Sequence, residues 1–187
     1  PKHGIITAIG EAHYEHFKSK ETIAAAKFEI ADYIREHNKE DGIIVVNSNQ
    51  IEDRFIPNCK NIIRVGDNTN VFISNIEQTK DGLKFIYHNN GEENEIFAPI
   101  FGEHHAQNIA CAITMALKLG MNISTIISTL KTLPQITHRL EVKSQANGVI
   151  IIDDAYNSNI SGFKSGLNLL EKLKINRSIL ITPGMVE

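Results

Sequence analysis

The segment Asp153-Asp154-Ala155-Tyr156-Asn157-Ser158-Asn159 stands directly behind the apolar run Val149-Ile150-Ile151-Ile152. Carboxylates, a phenol and amides at the end of a buried β-rich run can bind a ligand, because open α/β sheets bind ligands beyond the carboxyl ends of their strands. The same residue types also turn a strand into a helix and cap that helix, so spacing leaves both readings open. Glu11, His13 and Lys27 form a second set. His13, just past Gly10, is placed to be a metal ligand or general base, with an ordinary structural histidine as the alternative. Ile23, Lys27, Ile30 and Ile34 recur as one helical stripe, which sets the lysine on the core-facing side. An ammonium there pairs with an acid, snorkels to the rim, or loses enough charge to react. In Gly102-Glu103-His104-His105-Ala106-Gln107-Asn108, a helix start offers free amides to an anionic or polar ligand, with His104 and Asn108 one turn apart; plain capping explains it equally. Finally, Arg139 of His138-Arg139-Leu140-Glu141 can grip a phosphate bidentately or form a salt bridge with Glu141 or another acid.

These side chains need elements to carry them. Gly4 to Ile9 reads as a buried strand, Glu21 to His37 as a helix and Gly42 to Val46 as another strand, an α/β alternation. Residues 61–100 change to strands punctuated by Asp81-Gly82 and Asn90-Gly91, which predicts an antiparallel meander. A helix over His104 to Leu119 ends at Gly120, and a second over Ile123 to Leu130 stops before Pro134. From Ile136 the rhythm becomes strand, strand, helix, strand, closing on Ser178 to Ile181. A domain boundary is therefore expected near residue 136.

The chain has 187 residues, 42% of them hydrophobic and 22% charged, the balance of a globular protein with a sizeable core. A net charge of -3 provides no general basic surface for nucleic acid. Cys59 and Cys111 form no CxxC pair and suggest no disulfide framework, which fits a reducing cytoplasm. No apolar run reaches the roughly 20 residues that span a bilayer.

Taken in order, Ile5-Ile6-Thr7-Ala8-Ile9-Gly10-Glu11-Ala12-His13, Lys27-Phe28-Glu29, Gly102-x-His104 with Asn108, His138-Arg139-Leu140-Glu141 and Asp153 to Asn159 resemble the Mur ligases, ATP-dependent enzymes that extend the peptide of the bacterial cell-wall precursor. The Asp-Asp-Ala-Tyr-Asn-x-Asn form is similar to the branch that adds D-alanyl-D-alanine. The resemblance implies an α/β fold: residues 1–135 as the later part of the central ATPase domain, residues 136–187 as the start of a Rossmann-like C-terminal ligase domain. It implies ATP and Mg2+ as cofactors, a UDP-MurNAc-peptide and D-alanyl-D-alanine as substrates, and a cytoplasmic monomer. By the same resemblance Lys27, carbamylated, and His13 hold a magnesium ion. Asn108 contacts the nucleotide, Arg139 meets the ATP phosphates, Asp154 takes the ribose hydroxyls, and Tyr156, Asn157 and Asn159 line the adenosine.

The departures are specific. His105 stands where the family usually has Asn, Ile160 where the D-alanyl-D-alanine branch usually has Pro, and Thr182-Pro183-Gly184-Met185-Val186-Glu187 replaces the commoner Gly-Asp-Met ending. No Gly-x-x-x-x-Gly-Lys-Ser/Thr phosphate loop occurs. The expectation is an internal piece of a longer ligase that does not turn over ATP by itself. A MurE-like or folylpolyglutamate-synthase-like ligase, or a non-catalytic nucleotide-binding remnant, are the alternatives.

Overall fold

The computed structural model describes residues 1–10, 19–38, 41–156, 160–173, 177–182 and 184. His13 and Glu11, and likewise Asn157 and Asn159, lie outside them. In chain order the elements are β1 (His3–Ile6), α1 (Lys20–His37), β2 (Ile43–Asn47), a 3-10 turn (Asp53–Phe55), β3 (Ile62–Val65), β4 (Val71–Thr79), β5 (Gly82–Asn89), β6 (Glu92–Ala98), α2 (His104–Lys118), α3 (Ile123–Leu130), β7 (Glu141–Ser144), β8 (Ile150–Asp153) and α4 (Ile160–Lys172). The chain forms two compact units, Pro1–Ser74 with Tyr87–Asn94 and Gln107–Ile126, and Asn75–Ile86 with Glu95–Ala106 and Ile127–Glu187.

The first unit holds a sheet of order β1-β2-β3, parallel throughout, with Ile6 opposite Val46 and Val46 opposite Arg64. Helix α1 connects β1 to β2, as a parallel pair requires a long crossover. Ser19 Oγ caps its start by accepting the Thr22 amide at 3.1 Å, and Glu21 in the first turn with Arg35 and His37 in the last complement the helix dipole. The helix lies tightly on the sheet: a Cβ on Gly42 would come within 2.4 Å of Ile34 Cγ2 and 2.9 Å of the Asn38 carbonyl. Ile23, Ala24, Phe28, Ala31 and Ile34 pack here on Ile6, Ile44 and Val46. Elsewhere in the unit, the buried Tyr87 hydroxyl lies 2.9 Å from Thr114 Oγ1, which donates to the Ala110 carbonyl at 2.7 Å. Cys111 is fully buried, and burial pushes its thiol pKa up to about 12, which leaves it inert.

In the second sheet the order is β4-β5-β6, with tight turns at Asp81 and Asn90-Gly91 where hairpins are expected. In the second unit β7 and β8 form an antiparallel pair, Glu141 opposite Asp153 and Lys143 opposite Ile151. Phe101, Leu140 and Leu169 make a small core there, with Val142, Ile152 and Leu173 against it.

Four sequence expectations need correction. Residues 61–100 are not all meander, because β3 joins the parallel sheet through the long connection after β2. Lys27 does not sit in the core: it is exposed, while Ile23 and Ile34 of the same stripe are buried. A stripe about 100° wide has edges, and a long ammonium at an edge reaches water more cheaply than it loses it. The run before Asp153 is not a buried strand, since Val149, Ile150 and Ile151 are exposed; among the described residues β8 has one neighbouring strand, and burial on both faces needs a fuller sheet. No strand forms over Ser178 to Ile181, whose isoleucines are open to solvent.

Candidate functional site

The site is built on the backbone around Arg139. His138 and Leu140 have φ of 59° and 49°, so the arginine is displayed between two left-handed residues, a conformation costly for side chains with a Cβ. Leu140 is buried, 2% exposed, with its side chain on Phe101 and Leu169. Its amide donates to Asp154 Oδ1 at 3.2 Å, and the Tyr156 amide donates to the His138 carbonyl at 3.2 Å. These two bonds tie the segment after β8 to the arginine turn. In consequence the Arg139 guanidinium lies over the Tyr156 ring, 4.2 Å from its centroid, a cation–π contact on an exposed aromatic face.

The start of α2 contributes the other side. Gly102, at φ 101°, donates its amide to Gln78 Oε1 at 2.7 Å and accepts the His105 amide at 3.0 Å. Only glycine serves there, because a Cβ would stand 2.7 Å from both His104 Cε1 and Leu140 Cδ1. The His104 and His105 rings lie 4.1 Å apart. Surrounding protein, and then the neighbouring His104 and Arg139, depress the His105 pKa to about 4. His104 is lowered too, by desolvation, against the pull of Asp154, although part of its surface stays open. Desolvation raises the Asp154 pKa, against its Leu140 amide bond and Arg139.

Arg139, Asp154 and Tyr156 are thus brought together, with His104 and His105 electrostatically coupled to them. Asn108 is half-buried on α2. In the first unit, Lys27 Nζ donates to the Ala8 carbonyl at 2.7 Å, just beyond the carboxyl end of β1. The carbamate that the family resemblance implies for Lys27 would present two oxygens, a ligand type that suits a hard divalent cation. Three contacts were not anticipated from sequence: Gln78 on Gly102, Arg139 on Tyr156, and Lys143 between Glu141 and Asp153, 2.9 Å and 3.2 Å away. Only the last left a sequence signal, opposite charges two residues apart on a strand.

Residues 1–116 match the Mur ligase middle domain. The chain belongs to the Mur ligase family. The UDP-N-acetylmuramoyl-tripeptide--D-alanyl-D-alanine ligase of Bacillus subtilis is 29% identical over 189 residues, aligning with 100% of this chain and 40% of its own length. A crystal structure of MurF from Acinetobacter baumannii superposes with a TM-score of 0.79 at 27% identity, over 92% of this chain and 38% of that one. The Thermotoga maritima MurF ligase in complex with ADP shares the fold, with a TM-score of 0.75 at 22% identity over 92% of this chain and 39% of that one. This Mur ligase chain therefore spans about 40% of the length of the curated relative. Among the described residues no helix is long and apolar enough to cross a membrane.

Proposed function

We propose that the complete protein is an ATP-dependent ligase of peptidoglycan-precursor synthesis, joining D-alanyl-D-alanine to a UDP-MurNAc-peptide as a cytoplasmic monomer. One observation carries the reading: a cation, a carboxylate and an exposed aromatic face, Arg139, Asp154 and Tyr156, converge on a single turn. Those groups suit phosphate, ribose and base in that order. Asn108, Asn157 and Asn159 add polar contacts to the nucleotide. The domain division at 135/136 belongs to the same reading, with the arginine turn in the C-terminal ligase domain.

In the reaction the substrate carboxylate attacks the γ-phosphorus of ATP, the bond to the β-phosphate oxygen breaks, and ADP leaves with an acyl phosphate formed. The dipeptide amine then attacks the acyl carbon, loses a proton, and the carbon–oxygen bond to phosphate breaks, giving amide and inorganic phosphate. This chain's part is positioning and charge. Adenine stacking on Tyr156 takes the face that Arg139 covers, which frees the guanidinium to move onto the phosphates. Lys27 as its carbamate, with His13, would hold a magnesium ion, which supplies charge neutralisation at the phosphates when bound.

Phosphate release by the full-length protein, with a UDP-MurNAc-tripeptide and either D-alanyl-D-alanine or single amino acids, tests this. Turnover with the dipeptide alone is expected. Turnover with single amino acids would identify a MurE-like or folylpolyglutamate-synthase-like ligase instead, and no ATP turnover with any acceptor would leave a nucleotide-binding remnant.

A further inference from the structure

The turn that displays Arg139 is held unequally on its two sides. Leu140 is fixed in its left-handed conformation by burial and by Asp154. His138 is exposed, with its carbonyl accepting the Tyr156 amide, and its φ of 59° persists only where neighbours impose it. Besides Tyr156, two carboxylates hold it. The His138 amide donates to Glu141 Oε2 at 3.2 Å, and its ring Nδ1 lies 2.9 Å from Asp153 Oδ2.

Those carboxylates belong to residues directly opposite each other in the β7–β8 ladder, where like charges destabilise. Both are half-buried, their side chains 18% and 20% exposed. Lys143 lies two residues along β7 and hence on the same face as Glu141. Its ammonium sits 2.9 Å from Glu141 Oε2 and 3.2 Å from Asp153 Oδ2. His138, Glu141 and Asp153 have the ligand types of a cation site, but the lysine already places a positive charge between the two carboxylates.

We infer that Lys143 is a positioning residue for Arg139: it neutralises the Glu141–Asp153 pair, keeps both carboxylates on His138, and thereby holds the arginine turn in the geometry that nucleotide chemistry uses. The inference rests on the reading of Arg139 as the phosphate arginine. Without the lysine, the two anions separate and the turn relaxes towards ordinary backbone angles. The arginine then starts from a displaced position, and displacements on the order of 1 Å cost up to about 100-fold in rate.

The test uses the full-length ligase carrying Lys143→Met or Lys143→Arg, each alone and combined with Arg139→Lys, with kcat, KM for ATP and the thermal midpoint measured. Lys143→Met is expected to lower kcat about tenfold, with a smaller change in KM and little change in midpoint; Lys143→Arg restores most of the rate. In the Arg139→Lys background the loss should shrink to less than about threefold, because the two residues act as one unit. Three results would each overturn the inference: kcat and KM within about twofold of wild type for Lys143→Met, a loss of equal size in both backgrounds, or no rescue by arginine. An unchanged kcat for Arg139→Lys alone overturns the phosphate reading of Arg139 itself.

Discussion

The α1 crossover and the arginine turn hold their residues in place by opposite means. In the crossover Ile34, Phe28 and Ala31 are buried against β1 and β2, the backbone angles are ordinary, and removal from water supplies the stabilisation. The arginine turn has one buried anchor, Leu140, two non-glycine residues in the left-handed region, and a ring of charge around His138. Apolar burial is non-directional and tolerant. Charge-assisted hydrogen bonds are directional, and they can hold a strained backbone at a functional position. The contrast teaches that the first region is built for stability and the second for aim.

Breaking either region should therefore give a different signature. Arg139→Ala in the full-length ligase is expected to lower kcat by about 10³-fold, in the range seen when a cation is removed from a phosphoryl transition state, with stability changed by less than about 0.5 kcal/mol. Rate assays beside thermal melts check this, and a large fall in stability would erase the distinction. Ile34→Ala does the reverse: the fully buried side chain leaves a cavity, and unfolding free energy should fall by about 3 kcal/mol in denaturant titrations.

His105→Asn sharpens the comparison through pH. Because the folded pKa of His105 is depressed to about 4, below the unfolded value near 6.5, the unfolded state binds a proton between these values that the native state refuses. Stability therefore falls as pH drops from about 6.5 to about 4, and flattens below that. Replacement by asparagine should reduce the loss between pH 7 and pH 5 by on the order of 1 kcal/mol, after allowing for solvent at the ring. Denaturant midpoints at the two pH values measure it. Smallest is Lys2→Ala, which removes an exposed pair with Asp41 at 3.4 Å and should change stability by less than about 0.5 kcal/mol in the same titrations.

Several elements were legible before any coordinates. Helix α1 was expected from Glu21 to His37 and runs Lys20–His37, because helical periodicity is a local signal. The hairpin turn at Asn90-Gly91 was marked by residues that accept positive φ, and both have it. β3 was misplaced, since a strand of four residues does not say which sheet it joins. Ser178 to Ile181 was misread as a strand because apolar β-branched residues signal burial only when a layer exists to cover them. Asp154, Tyr156 and Arg139 were singled out through motif order rather than spacing, and their contacts with one another were not foreseen.

The sequence by itself determined the local and additive features: the capped amphipathic helix, the turn residues, the absence of a long apolar span, and the order of motifs that places the chain among the Mur ligases. Tertiary structure alone decided which charges meet. The order of residues sets Lys143 on the same strand face as Glu141, but it says neither that the lysine also reaches Asp153 nor that Arg139 lies on Tyr156. Those contacts depend on the β7–β8 register and on two backbone angles. Coulomb and hydrogen-bond energies depend on distances of a few ångströms, and only the folded chain fixes them.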